Sequence, residues 1–433
     1  MYKSSIIFLF LFGANLAREG ADLFSCLNDD IHIKKTSWNE SMHSDVEANV
    51  RLARIWTSAR PMRFELTVFT QLTSDRHEAL SNLCMSFRGP VSAAVHVSIV
   101  QPESIPGLSN DSIEALVRAE AIFADVFERA ELLHGCQLTI MLFYEIFDSH
   151  LSSLLYPINA MRNFARMPVK TELVSAIDVD MVISRSLSTH LLDPMFRNWL
   201  KVETVKRRAF VLPAFEPGCP GMSSRTVTML ASLVNKSQLM GLYHQGSVTQ
   251  FKGHVFPPGH GPTNYEKWMC ANETYKVSWQ GNYEPWFISH WDVLPWFDVR
   301  YKGFGQNKIS FLANVNQSGF SFEPLPDIWL THLYHRATES SDLVKNNQMN
   351  IGSDVLRGND MKMKVEALYR SQRIEMMQGT YVPKLDSRML KCFEKLHWLQ
   401  PLEPSTRKTV HQPLLQSTCP CKHSKYDHFS LHV

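Results

Sequence analysis

The chain has 433 residues, of which 44% are hydrophobic, so it can bury one large core or two smaller ones and is not expected to be disordered. Its 44 Lys and Arg against 42 Asp and Glu leave a formal charge of +2. A charge this small excludes a general electrostatic attraction to nucleic acid or to an anionic membrane, so local sites must provide any binding specificity.

Residues 1–17 have the pattern of a signal peptide. Lys3 precedes an apolar run from Ile6 to Phe12, and this run is too short to span a bilayer, which needs about 20 apolar residues. Five Asn-x-Ser/Thr sequons and eight cysteines fit an oxidising lumen. We therefore expect a protein of the Golgi or endoplasmic reticulum lumen that contacts membrane only through its N-terminus. The sequons are at Asn39, Asn110, Asn235, Asn272 and Asn316.

The rest of the chain divides into three predicted parts. Residues 18–60 are polar and irregular and are interpreted as a stem or N-terminal extension, and residues 61–340 as one α/β domain. Residues 341–433 are expected to form a helical C-terminal extension and a tail. The predicted elements in chain order are strand 64–72, helix 78–87, strand 91–100, helix 113–133, strand 138–144, a helix starting at 157–164, strand 173–177 and, in the extension, helix 361–377.

Two acidic residues, Asp178 and Asp180, fall at the carboxyl end of the predicted strand 173–177. Alternate residues of an extended segment can hold two oxygen ligands near one divalent ion and a diphosphate. Ligands of open α/β sheets gather at this edge of the sheet. Two acids after a strand are nevertheless more often a solvated turn, so this triplet indicates a metal site only if other segments agree.

Seven ordered segments between residues 64 and 337 resemble the LARGE-type glycosyltransferases, a family 49-like group. The resemblance implies a GT-A type α/β fold, with a mostly parallel central sheet flanked by helices. It also implies metal-dependent, inverting transfer of a sugar from a nucleotide donor, typically UDP-glucuronate, to a glycan or glycoprotein acceptor. Relatives include the glucuronyltransferase half of LARGE and the β-1,4-glucuronyltransferase that primes its glycan on dystroglycan. The segments are 156–163, 178–180, 211–216, 259–268, 283–286, 297–308 and 330–335.

The resemblance assigns the metal ligands residue by residue. Asp178 and Asp180 correspond to the metal-binding pair, and His332 to the third ligand, for Mn²⁺ or Mg²⁺. Chemistry permits this, since a neutral imidazole suits manganese, although a lone histidine is more often structural. His335 is expected to contact the diphosphate instead.

Three further residues are predicted to bind the donor. Asn159 and Arg162 lie on a helix start that resembles the donor-binding helix of the family, where a guanidinium can pair with phosphate or with a uronate carboxylate. A surface arginine on a helix is the alternative. Arg76 is a weaker candidate for the nucleotide, because it follows the first strand of the domain.

Inverting transfer needs a carboxylate that accepts the proton of the acceptor hydroxyl. No acid follows the loop Gly303–Gly305, so we expect either Asp298 or Glu284 to be the base, and Asp298 is favoured because it lies five residues before that loop. The other of the two would position a hydroxyl. His260 and Trp286 are expected to line the acceptor cleft, although a structural role for the His260 loop is an equal alternative.

Two other functions remain open from the sequence. A catalytically inactive protein that binds a glycan or a nucleotide sugar on the same fold would be favoured by an incomplete metal site. A metal-dependent phosphoesterase would need a denser set of Asp and His residues for two metal ions, which the sequence lacks.

Overall fold

The computed structural model of the chain describes residues 20–28, 34–43, 47–102, 104–105, 107–133, 135–218, 224–345 and 353–399. The predicted signal peptide, residues 1–17, and the tail from residue 400 onward lie outside these residues. The described part contains an eight-stranded sheet, a four-stranded sheet and helices on both faces of the larger sheet. None of its helices has the length and apolar character needed to cross a membrane.

Twelve strands are described. They are β1 (Arg51–Thr57), β2 (Leu66–Thr73), β3 (Pro90–Val100), β4 (Gln137–Phe147), β5 (Leu173–Ala176), β6 (Met181–Ile183), β7 (Arg208–Leu212), β8 (Ala214–Pro217), β9 (Val248–Gln250), β10 (Trp286–His290), β11 (Ser321–Pro324) and β12 (Leu330–His332). The large sheet has the order β1-β4-β3-β2-β5-β10-β7-β11, and the small sheet the order β6-β12-β8-β9.

The named helices of the described residues begin and end as follows. They are α1 (Trp38–Met42), α2 (His77–Ser86), α3 (Asn110–Leu132), α4 (His150–Ser153), α5 (Ile158–Arg166), α6 (Arg185–His190), α7 (Pro194–Val205), α8 (Ser224–Leu233), α9 (Lys236–His244), α10 (Pro257–His260), α11 (Tyr265–Cys270), α12 (Asn307–Gln317), α13 (Glu339–Lys345), α14 (Ser353–Met377) and α15 (Ser387–Lys395). A further helical segment covers residues 20–28. Short 3₁₀ turns lie at Ser74–Arg76, Gly261–Thr263 and His397–Leu399.

Strands β2 to β5 form the parallel centre of the large sheet. Their sequences are nearly continuous apolar runs because both faces are covered: Val95 of β3 packs in one hydrophobic core and Ala94 in the other. The predicted α/β class, with a large central sheet flanked by helices, is therefore confirmed. Four of the seven strand pairings in this sheet are parallel, and β1 and β10 add antiparallel neighbours.

The predicted start of the domain at residue 61 needs correction. Strand β1 (Arg51–Thr57) pairs with β4 at the edge of the large sheet, so the domain begins earlier. Most of β1 is partly exposed, with only Leu52 fully buried, which explains why its sequence looks polar and irregular.

The two chain extensions also share a core with the domain. Cys26, in the helical segment 20–28, forms a disulfide with Cys392 of α15. Leu23 and Met389 are buried in the same hydrophobic cluster as Phe164 of α5. The described parts of the extensions predicted before residue 61 and after residue 340 therefore pack with the sheet as parts of one unit. A second disulfide joins Cys84 to Cys136.

Candidate functional site

Two strands of the small sheet bring distant residues together at the carboxyl edge of the large sheet. Asp180 directly precedes β6, and β12 pairs antiparallel to β6 with His332 opposite Met181. The backbone N–H of Leu333 donates to the carbonyl of Asp180 at 2.7 Å. His335, two residues after Leu333, has its Nε2 atom 2.7 Å from Oδ2 of the Asp180 carboxylate.

Asp180, His332 and His335, which we call the metal cluster, can hold a metal ion, since one ligand atom from each residue lies within 4.8 Å of the other two. The Nδ1 atom of His335 lies 2.6 Å from the carbonyl of Arg336 and donates to it, and this contact fixes the ring with Nε2 within hydrogen-bond distance of Asp180 Oδ2. Burial alone would raise the pKa of Asp180, but the two histidines, with Nε2 of His335 at 2.7 Å and Nε2 of His332 at 3.7 Å from Oδ2, outweigh it and hold the pKa well below its usual range. These donors fit a divalent cation.

The structure groups these residues differently from the predicted ligand set of Asp178, Asp180 and His332. His335, which the sequence predicts to contact the diphosphate, lies in the metal cluster. Asp178 is not a member of it: its carboxylate instead pairs with Arg162, Oδ1 to Nη2 at 3.3 Å, and with Lys308, Oδ2 to Nζ at 3.5 Å. Burial would raise the pKa of Asp178, but these two cations keep it below its ordinary value.

Asn159 contacts Arg162 behind the site. Its side chain is fully buried, its Nδ2 donates to the carbonyl of Asp298 at 2.9 Å, and its Oδ1 accepts from Arg162 Nη1 at 3.0 Å. Arg162 also donates to Asn307 Oδ1 at 3.0 Å. The predicted direct contact of Asn159 with a donor does not fit this burial, because both ends of its amide are used to orient Arg162 and a neighbouring loop.

Arg76 lies at the same edge, in the 3₁₀ turn that follows β2. Its Nη1 is 3.3 Å from Asp180 Oδ2, and its Nη2 is 3.2 Å from His335 Nδ1. A guanidinium beside the metal cluster is well suited to an anionic group that binds there.

A cleft beside Asp178 contains a cation that sequence reasoning did not assign. Lys308, at the second position of α12, has its Nζ 3.3 Å from the ring centroid of Trp286, and this side chain is only 15% exposed. Burial lowers its pKa, and the charge of Asp178 partly opposes that shift. Membership of the segment 297–308 was the one sequence signal that could have pointed to Lys308. The cleft is lined by Gln71, Arg162, Asp178, Pro285, Phe297 and Lys308, among others.

Three aromatic rings form the wall between the cleft and the metal cluster. His260 stacks on Trp286, with centroids 5.1 Å apart, and Phe251 contacts both rings and His332. His260 and Trp286 are 2% and 3% exposed, so they are buried parts of the wall and do not offer the open surface predicted for acceptor contacts. Burial holds the pKa of His260 well below its usual range, so its imidazole is neutral.

The two candidate bases have different surroundings. The Asp298 side chain is 2% exposed, and its Oδ2 accepts from Arg300 Nη2 at 2.6 Å and from Tyr381 Oη at 3.0 Å. The preference for Asp298 as the base does not fit this geometry, because its carboxylate is shielded and already paired. Glu284 is 15% exposed and lies beside the aromatic wall, 3.8 Å from the Nε2 of His260.

Comparison of the sequence with known proteins identifies a matching family. Residues 65–370 match the family described as glycosyl-transferase for dystroglycan. The xylosyl- and glucuronyltransferase LARGE2s of Gallus gallus is 27% identical over 279 residues, which cover 64% of this chain and 33% of that protein. LARGE1 of Homo sapiens is 25% identical over 282 residues, or 65% and 32% of the two chains. The chain thus spans about a third of the length of these relatives.

Among solved structures, residues 1–349 of S. aureus TarS align with 77% of this chain and 79% of that chain. The TM-score is 0.29 and the sequence identity is 10%, values too low to establish a shared fold.

The pairing of Asp298 predicts a structural role. Asp298→Asn removes the negative charge from a buried ion pair and leaves Arg300 without it, so we expect the free energy of unfolding to fall by about 3 kcal/mol. Glu284→Gln, a matched change at a partly exposed carboxylate, should alter it by less than about 1 kcal/mol. Urea unfolding followed by tryptophan fluorescence measures both values, and equal stability of the two variants would contradict the structural role.

Proposed function

The chain belongs to the family of glycosyl-transferases for dystroglycan, and from this membership we propose that it transfers a sugar from a UDP-sugar to a glycan or glycoprotein acceptor with the help of a divalent metal ion. Its relatives include xylosyl- and glucuronyltransferases. Glucuronate, which the sequence resemblance implies, is the first candidate for the sugar. The observation that carries the proposal is the convergence of Asp180, His332 and His335 beside a cationic cleft.

We propose that these three residues hold the metal ion. Two imidazoles and one carboxylate favour Mn²⁺ over Mg²⁺, because Mg²⁺ prefers oxygen ligands throughout. A bound ion would neutralise charge on the departing nucleoside diphosphate. The hydrogen bond from His335 Nδ1 to the carbonyl of Arg336 supports this role, since it fixes the ring with Nε2 toward Asp180.

The donor would bind with its diphosphate near Arg76, which contacts the metal cluster. Hydrogen bonds from Arg162 to Asn159 and Asn307 would orient its guanidinium beside Asp178, where it could contact the donor. Pre-positioned cations cost little reorganisation when an anion binds, which supports a role in recognising the nucleotide sugar.

Glu284 is the base that the geometry supports. In inverting transfer the acceptor oxygen bonds to the anomeric carbon while the bond from that carbon to the diphosphate oxygen breaks on the opposite face. The hydroxyl proton passes to a carboxylate. Glu284 is partly exposed beside Lys308 and the aromatic wall, whereas Asp298 is enclosed. His260 would act by holding the wall and the loop around Glu284, whose N–H donates to the carbonyl of Gly259 at 2.8 Å.

The compartment proposed is the lumen of the Golgi or endoplasmic reticulum. Two disulfides in the described residues suit an oxidising environment. Four of the five sequon asparagines are exposed, and the fifth, Asn316, is partly buried on α12. No nucleic acid is expected as a partner, since the overall charge is close to neutral.

A panel of nucleotide sugars tests the proposed activity. Purified protein with Mn²⁺ should release UDP from at least one UDP-sugar in the presence of a glycan acceptor. Asp180→Asn should lower turnover by about 100-fold or more and abolish Mn²⁺ binding measured by calorimetry, since it removes a charged ligand. Asp327→Asn, the same change at an exposed site, is the control. Binding of a UDP-sugar by the wild type without any transfer would favour the inactive-binder alternative.

Glu284→Gln tests the base. The variant should keep the dissociation constant for the donor within about threefold and lose turnover by about 100-fold or more, because only proton acceptance is removed. Steady-state rates against donor and acceptor concentration separate these effects. A variant with normal turnover and a raised Michaelis constant for the acceptor would instead make Glu284 an acceptor-positioning residue.

Asn272 tests the compartment. It is exposed in the segment after α11, so we expect a glycan there when the full chain is expressed in animal cells. Treatment with an N-glycosidase should increase the gel mobility of the protein, and Asn272→Gln should remove one step of that shift. A chain that carries no glycan and fractionates with cytosolic proteins would contradict the secretory proposal.

A further inference from the structure

Lys308 is a buried cation whose hydrogen-bonding capacity is incompletely used. An ammonium group has three donors, but its distance to Asp178 Oδ2 is 3.5 Å, which is longer than a hydrogen bond. The Nζ atom rests on the face of Trp286, which attracts a cation but accepts no conventional hydrogen bond. Because the side chain is 15% exposed, water compensates this ammonium only in part, and an anionic ligand would complete its contacts.

The position of Lys308 places it nearer to the transferred sugar of a bound nucleotide sugar than to its diphosphate. The metal cluster and Arg76 lie on the Asp180 side of the acidic pair, where the proposed function has the diphosphate. Lys308 contacts the other acid, Asp178, and is close enough to Glu284, the proposed base, for their charges to interact. The transferred sugar must lie between the diphosphate and the base, so Lys308 faces the sugar.

The charges around the Lys308 ammonium also determine which substituent of the sugar can bind beside it. Arg162 and Lys308 share the single carboxylate of Asp178, and the Lys308 ammonium, whose charge Glu284 offsets in part, keeps unused donors at the cleft. A hydroxymethyl group would not balance that charge, whereas a carboxylate would form a charge-assisted hydrogen bond.

We propose that Lys308 is a specificity-determining residue that binds the carboxylate of a uronic acid in the donor, with Trp286 as the platform that supports the ammonium. This inference rests on the proposed function, because it assumes that the cleft holds a nucleotide sugar. It adds a residue that separates uronate donors from neutral hexose donors.

UDP-glucuronate and UDP-glucose test the inference, because they differ only at C6, carboxylate against hydroxymethyl. We measure the dissociation constants of UDP, UDP-glucose and UDP-glucuronate by calorimetry in the presence of Mn²⁺. The wild type should bind UDP-glucuronate more tightly than UDP-glucose. Lys308→Met should reduce that preference by about 10- to 100-fold, the value of one hydrogen bond to a charged group, and leave the constant for UDP within about threefold.

Three further variants control for charge and folding. Lys308→Arg keeps the cation and should retain part of the preference. Lys252→Met removes an exposed cation that lies over Phe251 and should leave the preference unchanged. Lys308→Gln replaces the Met variant if the thermal midpoint of the latter falls markedly below that of the wild type.

The outcomes separate this inference from the proposed function. Lys308→Met with an unchanged preference, or with equal losses for UDP and UDP-glucuronate, overturns the inference and leaves the nucleotide-sugar site intact. A wild type that binds UDP-glucose more tightly than UDP-glucuronate also overturns it. A wild type that binds none of the three ligands refutes the proposed function, and the inference falls with it.

Discussion

The antiparallel pairing of β6 with β12 is the constraint on which the site depends. It sets His332 opposite Met181, and so brings the histidine beside Asp180, although about 150 residues separate the two along the chain. The parallel pairing of β12 with β8 fixes the other edge of the strand. A shift of one residue in the β6 register would turn His332 to the opposite face of the small sheet and separate it from the carboxylate.

Charge balance explains why the two acids of the triplet have different environments. Asp180 lies among histidines and Arg76, while Asp178 lies between Arg162 and Lys308. The pKa of each carboxylate is lowered by these partners in spite of burial, so both carry charge at neutral pH. One acid thus lies in the cluster that we propose holds a metal ion, and the other pairs with two cations at the neighbouring cleft.

The order of elements could be predicted from the sequence because each signal was local. The predicted strand 91–100 and helix 113–133 match β3 and α3 to within three residues, since buried parallel strands read as apolar runs and amphipathic helices repeat every 3.6 residues. Strand β1 was missed because an edge strand that is half exposed has no such run. The carboxyl-edge position of Asp178 and Asp180 follows from the same local reading, once strand 173–177 is identified.

The division of roles within the site could not be predicted, because it depends on contacts between distant segments. Asp298 and Glu284 are both acids beside aromatic residues in the sequence, and only the contacts of Asp298 with Arg300 and Tyr381 show that it is enclosed. The placement of Lys308 in the cleft depends on backbone conformation as well. Gly305, at φ 106°, and Gln306, at φ 52°, turn the chain through the left-handed region just before α12. That turn directs the first turn of the helix into the cleft, and a glutamine in a left-handed conformation carries no sequence signal that would reveal it.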